Sequence, residues 1–138
     1  MRLICRVALI LAVTANTVAL ANPTGLICSA DGEGEVKAYI DVDAQEFLLL
    51  ALTDKGRRDW ISLSNFRADS LSVTAELTNT WRRQIDQSVA GREIHTLTVD
   101  RRTLSLSRTA QFQAAEAQPR TLPPLNCEIA DVDIGARF

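Results

Sequence analysis

Aromatic residues make up 5% of this 138-residue chain, and it has one histidine and three cysteines. Each scarcity removes a class of protein. With one histidine and the cysteines committed elsewhere, a zinc site lacks ligands. The missing C-x-x-C spacing argues against a catalytic dithiol, and no nucleophile-elbow glycine pattern marks a hydrolase. No apolar run approaches the roughly twenty residues of a membrane-spanning helix. The composition, 46% hydrophobic and 23% charged, excludes collagen-like, low-complexity and coiled-coil chains, and the length leaves room for one domain.

The first 21 residues read as a secretory signal peptide. Arg2 and Arg6 give a basic start, Val7 to Val13 form a short apolar centre, and Ala19-Leu20-Ala21 supplies the small residues of a cleavage site. Cleavage before Asn22 leaves residues 22–138 as a single β-domain without a transmembrane segment. Cys5 departs with the signal, so Cys28 and Cys127 remain as the only pair. In an exported protein they are expected to form one disulfide joining the first strand to the last. Localisation is therefore expected to be periplasmic or secreted.

Residues 22–138 hold 17 acids and 13 bases, a net charge of −4. That sign argues against nucleic acid as a partner. The charge is uneven: residues 57–120 carry ten arginines against seven acids, and both flanks are acidic.

Between the cysteines the pattern has period two. Val36, Ala38, Ile40 and Val42 alternate with polar residues, as do Leu71, Val73, Ala75 and Leu77. Leu97 and Val99 then lead across Asp100-Arg101-Arg102-Thr103 to Leu104 and Leu106. Turn signals fall at 31–34, 54–56, 67–69 and 90–91. The expected fold is mainly β, an antiparallel meander closing into a small barrel or sandwich. Residues 43–55 read locally as a helix, with an N-cap at Asp43 and a glycine at Gly56. An internal echo opposes this: Ile40-Asp41-Val42-Asp43 before Phe47 and Leu49 resembles Leu97-Thr98-Val99-Asp100 before Leu104 and Leu106, which favours strand–turn–strand. Residues 110–125, with Pro119 and Pro123-Pro124, read as an extended surface connection. The alternation Val132, Ile134, Ala136, Phe138 reads as an edge strand or frayed tail; the strands are too short and the aromatics too few for an outer-membrane barrel.

Candidate chemistry is sparse. His95 shares a face with Leu97 and Val99 and reads as a packed or rim histidine; a small hydrolase using it needs a nucleophile and an acid from elsewhere. Asp31, Glu33, Glu35, Asp41 and Asp43 are oxygen donors without the spacing of a calcium loop, so neither metal nor cofactor is expected. The arginine and tryptophan groups are the candidate binding residues: Arg57 and Arg58 before Trp60, Trp81 before Arg82 and Arg83, and Arg101 with Arg102. Guanidinium forks and indole faces recognise carboxylates, phosphates and sugar rings. If the groups share one face, it is expected to attract an anionic envelope component or a periplasmic protein.

Val99-Asp100-Arg101-Arg102-Thr103-Leu104 between alternating strands, together with the cysteine frame, resembles the small exported single-disulfide β-proteins of unknown function from Gram-negative bacteria. Those read Asp-Arg-x-Thr-Gly; here Leu104 stands at the glycine. The resemblance implies a periplasmic β-domain and no particular activity. Size and architecture are also similar to periplasmic lysozyme inhibitors, whose Ser-Gly-x-x-Tyr loop is absent. The reading favoured is a noncatalytic binding or envelope-accessory module, with a periplasmic inhibitor of a cell-wall hydrolase and a small hydrolase as alternatives.

Overall fold

Alternation of apolar and polar residues draws the described residues into nine antiparallel strands: β1 (Thr24–Ser29), β2 (Val36–Asp41), β3 (Glu46–Leu52), β4 (Arg58–Ser62), β5 (Ser64–Ala68), β6 (Ser72–Arg82), β7 (Val89–Asp100), β8 (Ser105–Phe112) and β9 (Arg120–Ile129). The computed structural model describes residues 22–32, 34–52, 56–113 and 118–135; the signal sequence expected at 1–21 lies outside them. The strands form one sheet in the order β4-β3-β2-β1-β9-β8-β7-β6-β5. Its two edges are consecutive in the chain, separated only by Leu63, which is buried and whose N–H donates to the Phe47 carbonyl at 2.9 Å. One bent segment thus lies at both edges, and the sheet curls into a nearly closed barrel.

The interior is packed with side chains, as the radius of a barrel of about eight strands dictates. Leu26, Ile40, Phe47, Val73, Val99, Leu106 and Leu125 are all buried in a single cluster, each contributing about 1.5–3 kcal/mol by leaving water. Cys28 and Cys127 face each other across the β1–β9 pair and are disulfide-bonded. That pair joins the two ends of the meander, so the bond fastens the closure itself.

Residues 46–52 are a strand, and the competing local helix does not form. Asp41 accepts a hydrogen bond from the Ala44 N–H at 3.0 Å, and Gln45 takes a positive φ of 53°. The chain reverses there, which sets Glu46 opposite Asp41 and directs Phe47 and Leu49 into the core. The same device recurs at β7–β8: Asp100 accepts from the Arg102 and Thr103 N–H groups, and Leu104 has a φ of 54°. The turn aspartates that correspond are therefore Asp41 and Asp100, so the echo read from sequence is offset by two residues. Leu104 occupies the left-handed position where a glycine costs least, and its side chain packs on the core.

Three further expectations are corrected. Ala90 and Gly91 are inside β7, and the reversal occurs between Arg83 and Ser88, where the Arg83 N–H donates to the Ser88 carbonyl. Residues 110–112 and 120–125 belong to β8 and β9 and are not a loose connection. Pro123 and Pro124 are accommodated because the register slips between Leu106↔Leu125 and Arg108↔Leu122, which leaves them at an irregularity where ladder donors are not required. Residues 130–135 are not a strand. They cross the outer face at Gly25, whose carbonyl accepts from Ala130, and reach Trp60, whose Nε1 donates to the Asp133 carbonyl at 2.9 Å. That path passes over the row Gly25–Tyr39–Leu48, which accounts for the burial of Leu48 on the face away from the core. Residues 136–138 lie outside the described part.

Candidate functional site

The strands differ in length, and the difference creates the most distinctive surface. β5 pairs with β6 only as far as Ser64↔Glu76, whereas β6 and β7 stay paired through Thr78↔Ile94, Asn79↔Glu93, Thr80↔Arg92 and Trp81↔Gly91. β8 follows with Glu93↔Phe112, and β9 with Ala110↔Arg120. One end of the barrel wall therefore overhangs the opposite side. Because alternate residues share a face, the inner face of this overhang continues the core stripe Val73, Ala75, Leu77 into Asn79 and Trp81. On β7 it runs from Val99 and Leu97 through His95 and Glu93 to Gly91, and on β8 through Ala110 to Phe112.

On that face Trp81 is 56% and Phe112 47% exposed. They stand on opposite sides of β7, and a Cβ built at Gly91 would meet nothing within 4 Å. Two aromatic walls thus flank an open floor. Beneath them Glu93 is buried at 6% exposure, with Oε1 3.5 Å from His95 Nε2 and 3.6 Å from Arg120 Nη2. These separations permit charge pairing but not hydrogen bonds, and Oε1 has no hydrogen-bond partner among the described residues. Arg120 approaches the buried carboxylate from β9 with most of its side chain exposed to solvent. The residues directly across from His95 are Leu77 on β6 and Ala110 on β8, neither of them a nucleophile.

The eight residues singled out by sequence do not form one face. The antiparallel order places Arg57 and Arg58, at the start of β4, and Trp81, Arg82 and Arg83, at the end of β6, at the same end of the barrel. Arg101 and Arg102, in the β7–β8 turn, are at the other. The two tryptophans are also on opposite sides of the wall: Trp60 is outside, held by the C-terminal segment, and Trp81 is on the inner face. Arg82 Nη1 donates to the Gln87 carbonyl at 3.0 Å and Arg83 Nη1 to Ser88 Oγ at 3.2 Å, so both brace the β6–β7 reversal. Arg101 donates to the Asp69 carbonyl, joining two turns at the far end, and Arg102 lies 3.9 Å from Asp100. The acids Asp31 and Glu35 precede β2, whereas Asp41 ends that strand opposite Glu46 and Asp43 lies in the turn beyond it, so the length of β2 separates the two pairs; Glu33 lies outside the described residues, and among those described no group of three or more metal-ligating side chains assembles.

Glu93, Phe112 and Arg120 were not singled out by sequence. The available signal was the alternation Val99, Leu97, His95, Glu93, in which an acid continues a core stripe, and it was obscured by reading Ala90-Gly91 as a turn. No family model, curated protein or solved structure matches the chain.

Proposed function

We propose that this is an exported, noncatalytic binding module that takes its ligand on the inner face of the overhang. The carrying observation is the pair of exposed rings, Trp81 and Phe112, on either side of the open floor at Gly91. Exposed aromatics held by a continuous strand ladder offer stacking surface with little entropy left to lose on binding. Arg82, Arg83 and Arg120 surround the same end, which suits an anionic envelope component or an acidic face of a periplasmic protein. The disulfide and the lack of a long apolar helix among the described residues accord with work outside the cytoplasm.

The test is capture of ligand from a Gram-negative envelope extract by the immobilised disulfide-bonded protein. Capture is expected to fall at least tenfold for Trp81→Ala and for Phe112→Ala, to weaken with salt, and to persist for Arg101→Ala/Arg102→Ala. Loss on the Arg101/Arg102 change with retention on the Trp81 change would overturn the assignment.

A further inference from the structure

The inner face of the overhang is built in rows across the strands. Trp81 lies across from Gly91 in one row, and Asn79, Glu93 and Phe112 form the next. Arg120 belongs to the row below, where it pairs with Ala110 and Ala110 with His95. Trp81 and Phe112 thus stand two strands apart, about 9–10 Å, and a Cβ at Gly91 between them would meet nothing. That width takes one six-membered ring with an apolar surface on either side.

The polar groups beside the rings set what such a ring must carry. The Glu93 side chain is 8% exposed, and its Oε1 has no hydrogen-bond partner among the described residues. A buried acceptor without a donor is costly, and His95 Nε2 and Arg120 Nη2, at 3.5 and 3.6 Å, do not supply one. Arg120 has the opposite need, because its side chain is 65% exposed and a guanidinium only donates. Asn79, exposed and directly across β6–β7 from Glu93, can both donate and accept. A ligand that satisfies all three donates and accepts along one edge while it offers apolar faces to two aromatic rings. The hydroxyl groups around a sugar ring do this. A fully ionised carboxylate or phosphate alone has no proton for Glu93, an organic cation is repelled by Arg120, and a bare aromatic ring leaves Oε1 without its donor.

We infer that the ligand of the overhang is an acidic saccharide: one sugar ring between Trp81 and Phe112, a ring hydroxyl donating to Glu93 Oε1, and the acidic substituent held by Arg120. This names the ligand class for the binding surface proposed above and rests on that reading. Arg120 shifts toward the acidic group, and the hydroxyl takes the donor position beside Oε1 that the arginine does not fill in the free protein.

The test is two-dimensional 1H–15N NMR of the disulfide-bonded protein titrated with glucuronic acid, glucose and benzoate, each to about 50 mM. The two tryptophan indole N–H groups serve as probe and control, since Trp60 is held on the outer face by the Asp133 carbonyl. Glucuronic acid is expected to shift the Trp81 indole saturably with a Kd of about 1–10 mM, to leave Trp60 in place, and to bind at least tenfold tighter than either glucose or benzoate. Arg120→Ala is expected to remove the preference over glucose, and Glu93→Gln the preference over benzoate, two selectivities that a folding defect does not separate. Equal affinity for glucuronic acid and glucose, or for glucuronic acid and benzoate, overturns the inference, as does a shift at Trp60 in place of Trp81. Failure of all three probes to bind overturns it too; capture from the envelope extract that still depends on Trp81 then leaves the binding surface standing, and loss of that dependence ends both.

Discussion

Removing the disulfide is expected to cost more than any other single change. Cys28 and Cys127 are 99 residues apart in sequence, and both are buried. Their crosslink restricts nearly the whole described domain in the unfolded chain. In the loop-entropy account a closed loop of about 100 residues is worth about 4.7 kcal/mol, a large share of the roughly 5–15 kcal/mol that holds a domain folded. The structure gives a further reason for a large effect. The β1–β9 pair that closes the meander has only the register Leu26 to Ser29, so without the bond a short ladder must hold both ends together. Cys28→Ala/Cys127→Ala is the suitable variant, since serine would leave a hydroxyl in an apolar site. With a urea slope of about 2 kcal/mol/M, the midpoint of the double variant is expected about 2 M below that of the oxidised protein, with a steeper slope from the more expanded unfolded state. A midpoint lower by less than about 0.5 M would refute the reasoning, because it would mean that the crosslink restricts no freedom the unfolded chain possesses.

Gly25→Ala is expected to lift the C-terminal segment, because the added Cβ meets the Ala130 carbonyl oxygen and Val132 Cγ2; a loss of about 1–3 kcal/mol and faster exchange of the Trp60 indole N–H would be measured together. Gln45→Gly relieves an exposed left-handed residue and is expected to raise stability by up to about 1 kcal/mol, whereas Leu104→Gly at the equivalent turn position is expected to lower it, since Leu104 also packs on the core. Asp69 is held below its ordinary pKa by the N–H groups of Leu71 and Ser72, Asp86 by the Ser88 hydroxyl and N–H, and Asp100 by the N–H groups of Thr103 and Arg102. Their folded values are depressed, so their contribution is complete above the unfolded value of about 3.9 and is lost as pH falls through the folded values. Thermal midpoints are accordingly expected to hold from pH 7 to about 5 and drop below about 4, with a shallower drop in Asp100→Asn, which keeps the turn acceptor but does not titrate.

How much could be read in advance depended on the range over which each interaction acts. Strand identity was legible at Val36 to Ile40, Val73 to Ala75 and Leu97 to Val99, because a half-buried strand writes its face into every second residue. The only cysteine pair left after the expected cleavage named the disulfide. Residues 46–52 were ambiguous because leucine and glutamate suit a helix, and the turn at Asp41 that decides against it lies upstream of the segment. Pro123 and Pro124 read as a break because their acceptability depends on a register slip in the neighbouring strand.

The sequence by itself determined the strand faces, the turn aspartate Asp100 and the single crosslink, since each follows from residue type and local spacing. The tertiary structure decided which ends and faces the functional side chains occupy. Arg82 and Arg101 look alike in the chain, yet they stand at opposite ends of the barrel, because an odd number of antiparallel reversals separates their turns. Trp60 and Trp81 point to opposite sides of the wall, because the parity of each is set by the buried neighbours of its own strand. Glu93 meets Arg120 and Phe112 only through the pairing of β7 with β8 and of β8 with β9. The open edge of β6 exists because β5 pairs with it no further than Ser64↔Glu76 while β7 continues, a difference between two neighbours that no property of β6 alone expresses.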